Sequence, residues 1–212
     1  MQGKRHIPKR ITMNLSALIA GCFIWCSAEL QAATLIGHWS FDEGSGSTAY
    51  DSSGNSADGA IVGAVWTADS WSGTALYFDG VDDSVLMPDG AWNKAAPLTI
   101  SYWYKRETTV TNNRFPIDHR CKSQPGIGGW GAFQGFQVID SNGTVQTSYS
   151  EMTVNEWMHK AVVISPTEMK VYVNGELKST TAIAGLPKLS GYLSVGAACH
   201  GSGIESNPLF RW

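Results

Sequence analysis

Charged residues are scarce in this chain of 212 residues: Asp, Glu, Lys and Arg make up 16%, below the roughly 25% of an average soluble domain. Low charge together with 11% aromatic residues excludes a disordered chain, because such a composition can bury apolar surface. Basic residues are also in the minority, 15 against 18 acidic ones, so no nucleic-acid partner is expected. Stretches of helix-forming composition are few, which disfavours an all-α fold. The 23 glycines and nine tryptophans instead indicate a β-rich domain with many turns.

The first 33 residues have the anatomy of a secretory signal peptide: a basic start, an apolar run from Ile11 to Ala28, and small residues at Ala32 and Ala33. Leu30 makes the cleavage motif imperfect for a cut after Ala32. Two alternatives stay open: a lipoprotein attached at Cys22, and an uncleaved anchor long enough to span a bilayer. All three predict an exported domain, secreted, extracellular or periplasmic. A cleaved signal further predicts no stable membrane insertion afterwards.

Two cysteines, Cys121 and Cys199, remain once residues 1–33 are removed. In an oxidising compartment, two thiols in one compact domain first predict a disulfide. A zinc site with His119 and His200 is the alternative, but Cys199 and His200 are adjacent, whereas paired zinc ligands usually stand about two to four residues apart. We therefore predict a Cys121–Cys199 disulfide.

Short runs of alternating apolar and polar residues, separated by turn signals, recur along residues 34–212 and predict strands. In the run Leu98–Lys105, the even positions share one face and Trp103 lies on the other. The pair Asn174-Gly175 predicts a type I′ hairpin turn, because both residues tolerate positive φ. We predict one all-β domain, a sandwich or a jelly roll. The predicted strands are Leu35–Phe41, Ala75–Phe78, Ser84–Met87, Leu98–Lys105, Phe133–Ile139, Val145–Tyr149, Trp157–Ile164, Met169–Val173 and Tyr192–Val195.

Five sequence blocks follow one another in order along the same region. They are Trp39–Gly46 with Asp51–Asn55, Ala75–Asp83, Leu98–Trp103, Trp157–His159 and Tyr172–Gly175. In this order the blocks resemble the laminin-G-like jelly-roll family of the concanavalin A-like lectin/glucanase superfamily. The resemblance implies two antiparallel sheets packed face to face. The sequence stops at Trp212, before the family's usual last strand. We therefore expect a C-terminally truncated domain over residues 34–212, in which Leu35–Phe41 lacks a partner strand.

Residues 34–93 contain nine acidic side chains and neither Lys nor Arg. Carboxylates at this density repel one another, and a hard cation such as Ca²⁺ would offset the repulsion. The alternative is that acidic residues and glycines simply occupy solvated turns, since no EF-hand loop is present. Many members of the family that the chain resembles hold a structural calcium near these blocks. We therefore expect Ca²⁺ as a cofactor at Asp42, Asp51, Asn55 and Asp82.

Glycoside hydrolases also occur in this superfamily, and they need two carboxyl groups that face each other across the sugar. The glucanase pattern E-x-D-x-x-E is absent, and its nearest match has Glu151 and Glu156 at an odd spacing that would place them on opposite faces of a strand. We interpret both as loop or surface residues. The sequence therefore predicts no catalytic residue and no enzyme activity.

Tryptophan is the residue type that most favours a binding function, because its ring stacks on sugar faces while its N–H donates hydrogen bonds. Trp39, Trp103 and Trp157 fall on predicted strands and are expected in the core. Trp130, with Phe133 in a glycine-rich loop, is the predicted ligand-binding residue. The predicted function is a secreted, non-catalytic carbohydrate-binding module. The alternatives are an adhesive module that recognises cell-surface or extracellular proteins, and a fragment of a larger glycoside-active enzyme.

Overall fold

Fourteen β-strands and no helix occur in the residues that the structure describes. The computed structural model describes residues 34–88, 97–107, 116–119, 127–130, 135–149, 153–187 and 193–197, with the backbone alone for 127–130 and 149. The strands are β1 (Thr48–Ala49), β2 (Gly59–Val62), β3 (Val65–Thr67), β4 (Ala75–Tyr77), β5 (Ser84–Met87), β6 (Leu98–Lys105), β7 (Ile117–Asp118), β8 (Ile127–Trp130), β9 (Gly135–Ile139), β10 (Val145–Tyr149), β11 (Trp157–Ile164), β12 (Glu168–Val173), β13 (Glu176–Ala182) and β14 (Leu193–Val195).

The described strands form two main sheets and one small hairpin. The larger sheet has eight strands in the order β1-β2-β5-β14-β7-β8-β9-β10, and the smaller has four in the order β13-β12-β11-β6. The strands β3 and β4 pair with each other. Every strand pairing in the described residues is antiparallel. The edge strand β6 and its neighbour β11 carry the outward-facing side chains that concern us below.

The inner faces of the two sheets share one apolar core. The larger sheet contributes side chains from β5 and β9, and the smaller sheet contributes side chains from β11 and β12. They are Val85, Met87, Phe136, Val138, Val162, Ile164, Met169 and Val171, none more than 1% exposed. Each such side chain contributes about 1.5–3 kcal/mol by leaving water. The chain is therefore an all-β sandwich of two antiparallel sheets, consistent with the predicted concanavalin A-like jelly roll.

The pleat of β6 confirms the predicted alternation along this strand. Tyr102 and Tyr104 face inward, whereas Trp103 between them is 41% exposed. The prediction that Trp103 lies in the core was wrong, because strand parity turns its side chain to the outer face of the sheet. Trp39 is half-buried, packs against the core, and donates from Nε1 to the carbonyl of Ala57 at 2.9 Å.

The predicted strand Leu35–Phe41 was also wrong, since the structure shows only a single bridge there, between Trp39 and Asp51. Phe41 adopts φ of +55°, which interrupts an extended chain. Side chains of the loop after β1 satisfy the backbone instead. Asp51 Oδ1 accepts from the amide of His38 at 2.9 Å, and Asn55 Nδ2 donates to the carbonyl of Leu35 at 2.9 Å.

A lysine occupies the inner face of the smaller sheet. Lys160 is 3% exposed and stands opposite Tyr102 on β6 and Val173 on β12. Its ammonium lies 5.4 Å from the centroid of the Tyr104 ring, and none of the ion pairs found among the described residues involves it. Burial lowers the pKa of Lys160 to about 8 and raises that of Tyr104 to about 12.

Candidate functional site

The outer face of the four-stranded sheet carries two exposed tryptophans that stack on each other. Trp103 projects from the edge strand β6, and Trp71 lies in the loop 68–74 between β3 and β4. Their ring centroids are 4.1 Å apart and their planes are inclined by 9°. Trp71 is 59% exposed and Trp103 is 41% exposed. We call these two residues the tryptophan pair. Large exposed aromatic area of this kind is typical of a contact surface.

Asp69 anchors the loop that carries Trp71. One carboxylate oxygen forms an ion pair with Lys105 Nζ at the end of β6, and the other accepts from Trp157 Nε1 at 3.2 Å. The hydrogen bond from Lys105 is the main cause that lowers the pKa of Asp69. Both partners belong to the sheet, so Asp69 holds the loop beside the edge strand and over Trp103.

The far end of the same loop depends on a glycine. Gly73 has φ of +66°, and a Cβ at this position would lie 1.9 Å from Asp42 Oδ1. That oxygen accepts from the amide of Thr74 at 3.0 Å, and Thr74 Oγ1 donates to the carbonyl of Phe41 at 2.7 Å. The predicted metal ligand Asp42 thus supports the loop of the tryptophan pair.

His159 on β11 stands beside Trp103 and completes this surface. The two rings are 5.1 Å apart and inclined by 51°. Ser101 Oγ and His159 Nε2 are hydrogen-bonded at 2.7 Å, and the amide of His159 donates to Asn174 Oδ1 at 2.8 Å. Asn174 and Gly175 have φ of +51° and +82°, which confirms the predicted turn between β12 and β13. The turn therefore supports the residue that flanks the tryptophan pair.

The structure does not bring the four predicted calcium ligands together as one set. Asp51 accepts hydrogen bonds from the backbone amides of His38, Ser53 and Ala57 and from Ser53 Oγ. Its pKa is lowered to about 2, because these hydrogen bonds outweigh the opposing effect of partial burial. Asn55 belongs to the same loop and donates from Nδ2 to Ser53 Oγ at 3.0 Å. Hydrogen bonds thus fix the loop that contains Asp51 and Asn55, and calcium binding there stays a prediction.

Asp82 lies in a different cluster. Its carboxylate and those of Asp79 and Asp83 place one oxygen each within 4.8 Å of one another, the one such group among the residues described. Burial raises the pKa of Asp83, and repulsion from Asp79 and Asp82 adds to the effect. Asp83 also accepts from the amide of Asp79 at 2.7 Å. Three hard oxygen donors in close proximity are a donor set of the kind that divalent cations take.

Several predicted sites lie outside the described residues. They are Phe133, the cysteines Cys121 and Cys199, and Glu151. Trp130 ends β8, for which the backbone alone is described, so its predicted contact with a ligand stays a prediction. Glu156 is exposed and precedes β11, as expected for a surface residue.

A family comparison gives the class of the protein. Residues 78–204 match the Laminin_G_3 family, described as concanavalin A-like lectin/glucanases superfamily, and the chain belongs to it. This confirms the resemblance that the five sequence blocks carry. No curated protein matches the chain. The described residues contain no helix with the length and apolar character needed for a membrane crossing.

Solved structures with the same fold include binding domains of larger proteins. Domain 4 of AbnA, an extracellular arabinanase from Geobacillus stearothermophilus in complex with arabinotriose, is 22% identical with a TM-score of 0.54, and the match covers 80% of this chain and 96% of that one. The binding domain of Paraclostridial Mosquitocidal Protein 1 is 13% identical with a TM-score of 0.57, over 82% and 45%. The receptor binding domain of botulinum neurotoxin type G is 14% identical with a TM-score of 0.56, over 76% and 43%. The chain thus spans less than half of either toxin domain's length.

Proposed function

We propose that the protein is a secreted, non-catalytic module that binds carbohydrate on the tryptophan pair. The observation that carries the proposal is the 59% exposed Trp71, stacked at 4.1 Å on Trp103. A flat ring backed by a second ring is a rigid platform for the apolar C–H face of a sugar. Ser101, His159 and Asn174 lie close by and could orient hydroxyl groups.

The platform is already ordered before any ligand arrives, which favours binding. Asp69 fixes the loop to Lys105 and Trp157, and Gly73 lets the loop return to β4 beside Asp42. A ligand therefore pays little for ordering the surface that it contacts. The arabinanase domain, solved with arabinotriose, supports this proposal through its fold.

The absence of enzyme activity is part of the proposal. A glycosidase holds an acid and a base about 5–10 Å apart across the bond that it cleaves. Near the tryptophan pair, the carboxylate of Asp69 is engaged with Lys105 and Trp157. An acid held by two donors, with its pKa lowered, is a poor proton donor. We expect no sugar release from a panel of polysaccharides by the full chain.

Export and calcium complete the proposal. The signal-peptide anatomy of residues 1–33 supports secretion. For calcium, Asp79, Asp82 and Asp83 would supply the ligands, because a divalent cation there would offset the repulsion among the three carboxylates, which adds to the effect of burial in raising the pKa of Asp83. The role of the ion would be to stabilise the loop between β4 and β5.

The decisive experiment compares Trp71→Ala with the unmodified chain on a glycan array, followed by calorimetric titration of the best glycan. Loss of one stacked indole should weaken binding by about tenfold or more. Trp71→Phe keeps a smaller ring and should give an intermediate affinity. The matched control is Tyr50→Ala, because Tyr50 is 60% exposed and follows β1 in the other sheet. This control should bind as the unmodified chain does.

Two results would overturn the proposal. One is a chain that binds no glycan at millimolar concentration, which would favour a protein partner. The other is glycan binding that Trp71→Ala leaves unchanged, which would place the site elsewhere. Circular dichroism of each variant shows whether the fold is retained.

A further inference from the structure

The geometry of the tryptophan pair also limits which part of a glycan can bind, an inference that rests on the proposed function. We infer that the tryptophan pair binds a single uncharged sugar ring, and selects against both acidic glycans and long stacked chains. Two observations carry this inference: the layering of the two indoles, and the ion pairs of Lys105 and Lys170 on the described part of the same face.

The two indoles are layered and do not lie side by side. Successive rings of one sugar chain can stack on two aromatic rings only when those rings are offset along the surface. Trp71 and Trp103 instead cover each other, with centroids 4.1 Å apart and planes inclined by 9°. The His159 ring contacts Trp103 as well, at 5.1 Å. The broad free ring face therefore belongs to Trp71, which is the more exposed of the two.

The remaining large aromatic side chains on the described part of this face are poorly placed to extend the platform. Trp157 is half-buried and its N–H is bound to Asp69 at 3.2 Å. Tyr172 is half-buried on β12, where it stands opposite Ala161 of β11. Neither ring stacks on the tryptophan pair. One sugar ring is thus the unit that this surface can hold by stacking.

The lysine charges on the described part of this face are already matched. On the outward positions of β6, β11 and β12, the lysines are Lys105 and Lys170, and the further basic side chain, His159, is hydrogen-bonded to Ser101. Lys105 forms an ion pair with Asp69, and Lys170 forms one with Glu168. An acidic sugar would have to displace Asp69 from Lys105 or lose water without gaining a cation, and both are unfavourable. An uncharged sugar meets no such penalty.

The inference is tested with matched neutral and acidic ladders of one to six units, such as galactose with galacturonic acid and glucose with glucuronic acid. In each matched set that binds, the neutral glycan should have a Kd about tenfold or more lower than that of the acidic glycan. Between two and six units, the Kd of the best neutral ladder should change by less than about threefold, because only one ring stacks. Tyr172→Ala should leave these affinities unchanged.

Charge selection is tested separately by Asp69→Asn. The amide still accepts from Trp157 but leaves Lys105 without its anion, so affinity for the acidic ladder should rise by about threefold or more. Glu168→Gln is the matched control, because it frees Lys170, which stands opposite Val163 on β11 and not opposite His159 beside Trp103, and it should not change selectivity. Preference for acidic glycans, or a tenfold gain in affinity with chain length, would overturn this inference. The proposed function would still be upheld if Trp71→Ala weakened glycan binding. Binding of no glycan would overturn both.

Discussion

Replacing the buried Lys160 by methionine should stabilise the protein at neutral pH. Lys160 is 3% exposed, and burial lowers its pKa from the ordinary 10.5 to about 8. Each unit of pKa corresponds to 1.36 kcal/mol, so holding the ammonium in the folded state at pH 7 costs about 3 kcal/mol. Methionine has a similar length and carries no charge, so it removes this cost and keeps most of the packing.

The substitution also loses an interaction, which reduces the gain. The ammonium lies 5.4 Å from the ring centroid of Tyr104, within range of a cation–π contact. Such a contact contributes about 0.5–2 kcal/mol. We therefore expect Lys160→Met to raise the free energy of unfolding by about 1–3 kcal/mol at pH 7, measured by urea denaturation of the full chain.

The pH dependence separates this mechanism from a simple packing effect. Because the pKa of Lys160 is lower in the folded state, the unfolded chain binds more protons between pH 8 and 10.5. Stability of the unmodified chain should therefore rise with pH across this window, and the penalty should fall to about 1 kcal/mol by pH 9.5. The raised pKa of Tyr104 acts in the opposite direction above about pH 10, but in both proteins alike.

The control for this prediction is Lys170→Met, since Lys170 lies on the outer face and is paired with Glu168. It should change stability by no more than about 0.5 kcal/mol. Lower stability of Lys160→Met at pH 7, or a difference between variant and unmodified chain that is constant from pH 7 to 9.5, would refute the reasoning.

Three further predictions concern the loops. Gly73→Ala should destabilise the chain by about 1–3 kcal/mol in thermal melts, because its Cβ would meet Asp42 at 1.9 Å; a melt unchanged from the original would contradict this. Asp51→Asn should lower the free energy of unfolding by about 1–2 kcal/mol at pH 7. The unmodified chain should lose stability as the pH falls from 3.8 to about 2, and the variant should not show this loss. Calcium should raise the melting temperature relative to chelator, and Asp82→Asn, but not Asp51→Asn, should abolish the rise; coincident melts of the unmodified chain would argue against the site.

Local patterns were sufficient to predict an all-β fold. The alternation in Leu98–Lys105 identified β6 with its exact bounds, and the Asn174-Gly175 turn joins β12 to β13 as expected. Strands without such a pattern were missed. Glu176–Ala182, for example, is rich in charged residues and threonine, and it is a strand because the turn brings it alongside β12. Pairing with a neighbour outweighs the weak propensity of such a segment.

The acidic residues show why charge density alone did not predict which carboxylates lie together. The sequence could not distinguish carboxylates that accept backbone hydrogen bonds from carboxylates that face one another. Asp51 is of the first kind, because four donors surround it. Asp79, Asp82 and Asp83 are of the second kind. Their close spacing in sequence was the available signal, and it indicated proximity better than the spread of Asp42, Asp51 and Asn55 did.

Only one residue of the tryptophan pair, Trp103, could be placed on the outer face from the sequence. Strand parity already placed Trp103 opposite the apolar face of β6, so its exposure followed from the pattern, although its residue type argued for the core. Trp71 offered no such pattern. Its position depends on Asp69, whose partners Lys105 and Trp157 are 36 and 88 residues away along the chain. The position of a loop that is fixed by such distant contacts can be derived only from the folded sheet. A binding surface built from one loop and one edge strand therefore requires the tertiary structure for its recognition.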